Sequence, residues 1–443
     1  MIASQKGSST YPLWPSLQPS LLCASLCIFR GQASRFSPFF CPIFLIGNGH
    51  VTLALWCAWQ GPDLGEKQMM NDKPHPDLKP GHGAFIINLD KMASAAAHIQ
   101  QLVGPNIQLG AVVKANAYGH GMKAVSTHLY KHGLRQFYVA QLEEALALRS
   151  ALPDAQITVF EGLLRGTEEA YIAHGLTACV NDRAQMERAA QCWTSGLALK
   201  ADLQIDTAMS RLGLPISEAE ALISSGALPT GLVKMMSHLA CADVPTHPHN
   251  QMQLARFSAL VSKAGLPASL AASGGVLLGP DYHFNQVRPG ILLSGYPPFE
   301  TPSFAKNPAL SWYAPILQIR QISKGESVGY GASFVADKPS RLATLGAGYA
   351  DGYPRALQEA GKIEIAGYVV PIAGRVSMDL MVVDVTEIPD TVLETASHAC
   401  LLGPHFDAED MAKATGTITY EILTGLGLRH TRLYDGADHN GSV

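Results

Sequence analysis

The stretch Val112-Val113-Lys114-Ala115-Asn116-Ala117-Tyr118-Gly119-His120-Gly121 sets a lysine at the end of an apolar run, directly before a glycine-rich turn. An amine held there is partly withdrawn from water, which lowers its pKa and leaves it neutral part of the time. A neutral amine can attack a carbonyl and form a Schiff base, which makes Lys114 a candidate for carrying a carbonyl cofactor. The same residues also suit a lysine that merely lays its stem along apolar surface. Later in the chain, Ala271-Ala272-Ser273-Gly274 and Arg288-Pro289-Gly290-Ile291 combine a hydroxyl with glycine amides, which are suitable donors for a phosphate.

These groups need a scaffold that brings distant segments to one place. From Phe85 onward, short apolar runs alternate with helix-like stretches. Strand-like runs stand at Ala84–Asn88, Leu109–Val113, Phe137–Ala140, Ile157–Phe160, Leu176–Val180, Leu199–Ile205, Leu232–Ser237, Ser269–Ala272 and Phe284–Val287, with amphipathic helices in most of the intervals. Alternation of this kind implies parallel pairing through crossovers. About eight units over some 220 residues match an eight-stranded βα barrel, an α/β fold of the TIM type. The rival, a doubly wound sheet, lacks its G-x-G-x-x-G after the first strand. In a barrel, Lys114 falls at a strand's C-terminal end, where active sites form, and the loops after the last two strands commonly bind phosphate. After Pro308 the rhythm changes to strands at Pro315–Gln321, Arg341–Leu345, Ile363–Pro371 and Leu380–Val385 with little helix between them, a second, mainly β domain.

The division is therefore an extension over residues 1–80, a barrel over 81–308 and a β domain over 309–443. The extension has no sustained period. Its apolar run from Phe39 to Trp59 is broken by Pro42 and Gly47-Asn48-Gly49-His50, so it reads as a segment outside the fold, disordered or untranslated, rather than a membrane span. With 32 Lys and Arg against 36 Asp and Glu, the chain lacks the basic field of a nucleic-acid binder and suits a small-molecule substrate. Eight cysteines with neither metal nor disulfide spacing suit a reducing cytoplasm.

The ten residues around Lys114 resemble the cofactor-lysine signature of alanine racemases. The resemblance implies that Lys114 carries pyridoxal 5'-phosphate and that Tyr118 lines the site. Further segments are similar to family motifs in the same order. Asp206-Thr-Ala-Met209-Ser-Arg211-Leu-Gly213 implies that Arg211 reaches the cofactor and the substrate carboxylate, a task suited to a charged planar fork. Ser237-His238-Leu-Ala-Cys-Ala-Asp243 implies that His238 supports the ring-binding arginine, with Asp243 beside it. The phosphate contacts fall on Ser273, Gly290 and Ile291, and Arg288 meets the pyridine nitrogen. In the second domain, Ser327-Val-Gly-Tyr330 implies Tyr330 as the second catalytic base. Gly348-Tyr349-Ala-Asp-Gly352 and Gly374-Arg375-Val-Ser-Met378-Asp379 imply Tyr349 at the entrance, Met378 on the substrate carboxylate, and Arg355, Arg375 and Asp379 as supporting residues. The resemblance also implies a homodimer whose second domains complete the partner's sites.

The implied activity is interconversion of L- and D-alanine by a two-base mechanism using Lys114 and Tyr330. A racemase of broader specificity, a related barrel decarboxylase and a non-catalytic cofactor carrier are the alternatives. Arg288 argues against the decarboxylase, and the second domain against the carrier. The chain departs from the family where Gln204 replaces a frequent carbamylated lysine, Ala272 an asparagine, and Leu428 a phosphate-binding tyrosine, which bears on cofactor affinity. Asp243, His247 and His249 offer too few well-spaced ligands for zinc, so no metal is expected.

Overall fold

The computed structural model describes residues 77–226 and 228–436; most of the 1–80 extension lies outside the described residues. Strand β1 (Ala84–Asn88) leads into α1 (Leu89–Val103), whose first turn is capped by the Asn88 side-chain oxygen Oδ1 accepting from Lys91 N at 2.8 Å. There follow β2 (Gln108–Val112), α2 (Met122–Lys131), β3 (Gln136–Val139), α3 (Leu142–Ala151), β4 (Gln156–Val159), α4 (Glu168–Ala173), β5 (Thr177–Val180), α5 (Arg183–Thr194), β6 (Lys200–Asp206), α6 (Ile216–Ser224), β7 (Leu232–Met236), α7 (Pro248–Ala264), β8 (Ala268–Ser269), α8 (Ser273–Leu278) and β9 (Gln286–Val287).

Strands β2 to β8 pair in parallel, each with the next, and β9 pairs with β2 with Gln286 opposite Gln108. The seam between β8 and β9 is closed by a parallel bridge between Ala272 and Arg288. This is the expected eight-stranded barrel. Its strands read as near-continuous apolar runs because both faces are covered, as with Phe137, Tyr138 and Val139 in β3. Its interior also holds a charge. Lys234 Nζ donates to Tyr138 Oη and Gln286 Oε1, each at 2.9 Å, and lies 3.4 Å from Asp202 Oδ2. Burial pushes the Asp202 carboxyl up to about 6, opposed by Lys234.

The second domain consists of β10 (Leu310–Ile322), β11 (Ser340–Leu345), β12 (Lys362–Ile365), β13 (Tyr368–Pro371), β14 (Met381–Asp384), β15 (His398–Leu402), α9 (Ala408–Thr415), α10 (Thr419–Thr424) and β16 (Thr431–Asp435). The long β10 shifts register between Ile316 and Gln318 and so serves two partners, β15 along its first half and β11 along its second. Three features differ from the sequence reading. Strand β1 joins this sheet rather than the barrel, running antiparallel to β10 and parallel to β16. Its side chains Phe85 and Ile87 are fully buried, and Phe85 packs on Trp312 at 5.1 Å between ring centroids. The run Ile363–Pro371 is a hairpin, turned at Ala366 and Gly367, both at positive φ. Helices α9 and α10 add more helix than the pattern implied, and they lie against the barrel mouth.

Candidate active site

Lys114 follows β2 at the barrel's C-terminal end and opens a turn of unusual handedness. Ala115, Asn116, Ala117 and Tyr118 all have φ between 50° and 55°, and Gly119 follows at 82°. Non-glycine residues avoid this region, so the surroundings must impose it. Glu144 on α3 accepts from Ala115 N at 2.7 Å with one carboxylate oxygen and from Ala140 N at 2.8 Å with the other, tying the ends of β2 and β3 together. The Asn116 side chain accepts from Met122 N at 2.8 Å. From the second domain, Arg432 Nε donates to Gly119 O at 2.8 Å, and a Cβ on Gly119 would run into the Leu423 carbonyl. The result aims the Lys114 amine into a cavity of about 810 Å³. Burial lowers its pKa, reinforced by the Arg211 charge and opposed by Glu144.

Ser273, Arg288, Gly290 and Ile291 also line the cavity and offer groups suited to an anion. The Ser273 hydroxyl accepts from Gly290 N at 3.0 Å and from Leu292 N at 3.2 Å. Both acceptor positions of that oxygen are then taken, leaving its proton to donate. Gly290 is required here, because a Cβ would overlap the Tyr118 hydroxyl. Ile291 is buried beside it. Arg288, also buried, donates to Ser269 Oγ and, at 2.7 Å, to Ser237 O. Burial lowers its pKa from the usual arginine value, while Tyr138, Cys179 and Asp202 oppose the shift.

Arg211 and His238 complete the barrel's contribution. One Asp206 carboxylate gathers the amides of Ala208, Met209 and Ser210 at 2.8–3.1 Å and so shapes the loop that presents Arg211. His238 is held by Gln253 on α7, whose side chain donates to His238 O at 2.9 Å and accepts from Ala240 N at 2.8 Å. Burial, together with the Arg288, Arg211 and Lys114 charges, lowers the His238 pKa to about 3, so its imidazole is neutral. Gln204 lines the cavity but its oxygen faces the Cys179 thiol at 3.9 Å. Asp243 and Ala272 line it too.

The second-domain residues that the resemblance implies do not reach this cavity in the single chain. Tyr330, Tyr349, Met378, Arg355, Arg375 and Asp379 are absent from its walls, and Tyr330 is 74% exposed. Most of them form one continuous surface instead. Gly331 packs on the Arg375 guanidinium, Tyr349 N donates to Ser377 O at 3.0 Å, and Ala350 N donates to Met378 O at 3.0 Å. Arg429 bridges Asp351 and Asp379. Leu428, expected near a phosphate, is 83% exposed on this side. In its stead Tyr420 of α10 lines the cavity, its ring centroid 6.0 Å from that of Tyr118. Burial, with the Asp243 charge, pushes the Tyr420 hydroxyl up to about 12. Tyr420, Glu144 and Gln253 escaped the sequence reading because each acts from a distant element. His247 and His249 do not form a ligand set: His249 Nε2 bonds Ala208 O at 2.8 Å, and His247 Nδ1 accepts from His249 N.

Comparison with known proteins matches this two-part geometry. The family model of the alanine racemase N-terminal domain matches residues 87–298, and that of the alanine racemase C-terminal domain matches residues 309–434. The chain is 42% identical to an alanine racemase of Cereibacter sphaeroides over 351 residues, 79% of this chain and 97% of that protein. It is 43% identical to a catabolic alanine racemase of Agrobacterium fabrum over 337 residues, 75% of this chain and 87% of that protein. Among solved structures it resembles the alanine racemase of Bartonella henselae with covalently bound pyridoxal phosphate, at a TM-score of 0.75 and 36% identity, covering 80% of this chain and 100% of that one. With both halves matched in order, the chain belongs to the alanine racemase family.

Proposed function

We propose that this chain interconverts L- and D-alanine using pyridoxal 5'-phosphate held on Lys114. The observation that carries the reading is the meeting, in one cavity, of a lysine of lowered pKa, a buried arginine and a hydroxyl-and-amide cradle. This donor set fits the cofactor. Lys114 would supply an amine for its aldehyde, Ser273, Gly290 and Ile291 would supply donors for its phosphate, and Arg288 would meet its ring nitrogen. The absent Cβ of Gly290 leaves room beside Tyr118. When bound, pyridoxal phosphate withdraws electrons from the amino acid and makes its Cα–H acidic.

The residues of the chain then direct that acidity. Arg211 holds the substrate carboxylate with a fixed positive charge, and neutral His238 supports Arg288 without adding a second charge. Arg288 keeps its protons, so it offers the ring nitrogen a hydrogen bond rather than a proton. That limits electron withdrawal and favours return of a proton to Cα over amino transfer. Lys114 Nζ and Tyr330 Oη stand on opposite faces of Cα, one taking its proton and the other returning one.

Tyr330 comes from a second copy of the chain. Support for this is the exposure of Tyr330, Met378, Tyr349 and Leu428 on one surface of the second domain, away from the chain's own cavity. The working form is a homodimer, built from the barrel over 81–308 and the β domain over 309–443. It acts in the cytoplasm, a placement supported by the thiols of Cys179 and Cys192 outside any disulfide. Among the described residues, no helix is long and apolar enough to cross a membrane.

A mixing experiment tests the reading. Lys114→Ala and Tyr330→Phe are each expected to be inactive in polarimetry with L-alanine. Refolded together, they form hybrids with one intact site, restoring about a quarter of the parent activity. If both residues served a site within one chain, mixing would restore nothing, and the shared-site reading would fall.

A further inference from the structure

At the other end of the barrel, Asp90 on α1, His128 on α2 and His132 at the C-terminal cap of α2 come together. The two histidines are four positions apart, so they share one face of their helix. Their ring centroids lie 4.3 Å apart, and Asp90 Oδ1 is 3.2 Å from His128 Nε2. The ligand atoms all lie within 4.8 Å of one another. We propose that these three residues form a binding site for a divalent transition-metal cation such as Zn²⁺, clamping α1 to α2.

Three observations support it independently of the cofactor site. The His128 side chain is only 8% exposed, and its Nε2 is turned to the Asp90 carboxylate, 3.2 Å away, so two ligand atoms already face each other. The His132 ring is already oriented as a ligand. Its Nδ1 sits 2.9 Å from His128 O, which fixes the proton on that nitrogen and leaves Nε2 with its lone pair outward. Third, Asp90 and His132 stand at the rim of a groove of about 800 Å³ lined by Gln100, Gln108, Gln136 and Gln156. Water or a small ligand in that groove can fill the positions that three protein ligands leave open.

The donor set selects the metal. Two imidazoles and one carboxylate suit zinc, cobalt or nickel, whereas magnesium and calcium prefer oxygen ligands. Bond lengths near 2.0–2.2 Å place ligand atoms of a tetrahedral site ~3.3 Å apart. The Asp90–His128 pair already has that separation, and all three ligand atoms lie within 4.8 Å of one another. The gain is a staple between the two helices that flank β2, the strand that ends at the cofactor lysine. Neither histidine belongs to the reaction, and the sequence pattern gave no reason to expect metal here.

Calorimetric titration of the chelator-treated holoenzyme with Zn²⁺ tests the site. The expected result is saturable binding of one ion per chain, weakened by at least about tenfold in His132→Ala and in Asp90→Asn, as befits loss of a ligand. Both substitutions are at exposed side chains and should leave the fold and the racemase rate intact. His249→Ala, in the other histidine pair, should leave Zn²⁺ binding unchanged. Absence of saturable binding overturns the proposal. So does binding that survives both ligand substitutions or is lost in His249→Ala instead.

Discussion

Ser273 is the sharpest place to test the anion cradle. Its hydroxyl is 4% exposed and accepts two amides, Gly290 N at 3.0 Å and Leu292 N at 3.2 Å. Its proton is the group left over for a phosphate oxygen. In Ser273→Ala the cofactor loses one hydrogen bond to a charged group, about 1.5–3 kcal/mol, which is roughly ten- to a hundredfold in affinity. The two amides also lose their partner in the cofactor-free enzyme. By linkage the loaded form, which also loses part of the stabilisation that bound cofactor provides, should be destabilised more than the cofactor-free form. The assay is a fluorescence titration of the apoenzyme with pyridoxal phosphate, paired with thermal unfolding with and without cofactor. Ser126→Ala is the matched control, because Ser126 is a buried hydroxyl without a partner. It should leave cofactor affinity unchanged and unfolding unchanged or slightly higher. A change of less than about threefold in Ser273→Ala would refute the argument, since a charged acceptor cannot lose its donor so cheaply.

Two further outcomes are expected. Gly290→Ala pushes a methyl group into the Tyr118 hydroxyl, so cofactor affinity should fall, and pairing it with Tyr118→Ala should recover part of the loss; a double variant no better than the single one counts against the contact. His120 is fully buried, and burial lowers its pKa to about 4, so the folded chain binds fewer protons there than the unfolded chain. That contribution is intact above about pH 6.5 and is lost as pH falls toward 4, reaching about 2 kcal/mol at pH 5. His120→Gln should therefore flatten the acid side of the urea-midpoint profile; an unchanged slope between neutral pH and pH 5 would assign the acid sensitivity elsewhere.

The barrel was legible because its signal is local and repeated. A buried parallel strand must be apolar throughout and each crossover helix amphipathic, and both patterns survive in one sequence. What escaped was partner choice. Ala84–Asn88 reads correctly as a strand, yet nothing in these five residues says that Phe85 will pack on Trp312 rather than in the barrel. The hairpin at Ala366–Gly367 hid inside Ile363–Pro371 because a two-residue turn barely interrupts an apolar run. In the site, Lys114, Ser273 and Arg288 stand beside recognisable turns or strand ends, whereas Glu144, Gln253 and Tyr420 act on them from other helices. No local pattern marks a glutamate whose task is to bind the amide of residue 115.

That glutamate points to how the site is held. A left-handed residue other than glycine is disfavoured by roughly 1–2 kcal/mol, and the turn after Lys114 contains four in succession. Ala115, Ala117 and Tyr118 have no intrinsic taste for this conformation, so the turn cannot be stable by itself. Its supports come from both domains: Glu144 from the barrel, and Arg432 and the Leu423 carbonyl from the second domain. The turn therefore takes its shape only once the two domains have packed. This couples the direction of the Lys114 amine to domain assembly and places Tyr118 against Gly290 in the same step. It also accounts for the composition of the segment. Alanine at 115 and 117 keeps the left-handed turn free of side chains that would clash with its own backbone, and Gly119 admits the approach of Leu423. A second domain that supplied only residues for a partner's site would have no reason to grip this turn. Here the same domain grips its own chain's Lys114 turn and leaves Tyr330 exposed, so under the proposed shared site the placement of both residues depends on one packed unit.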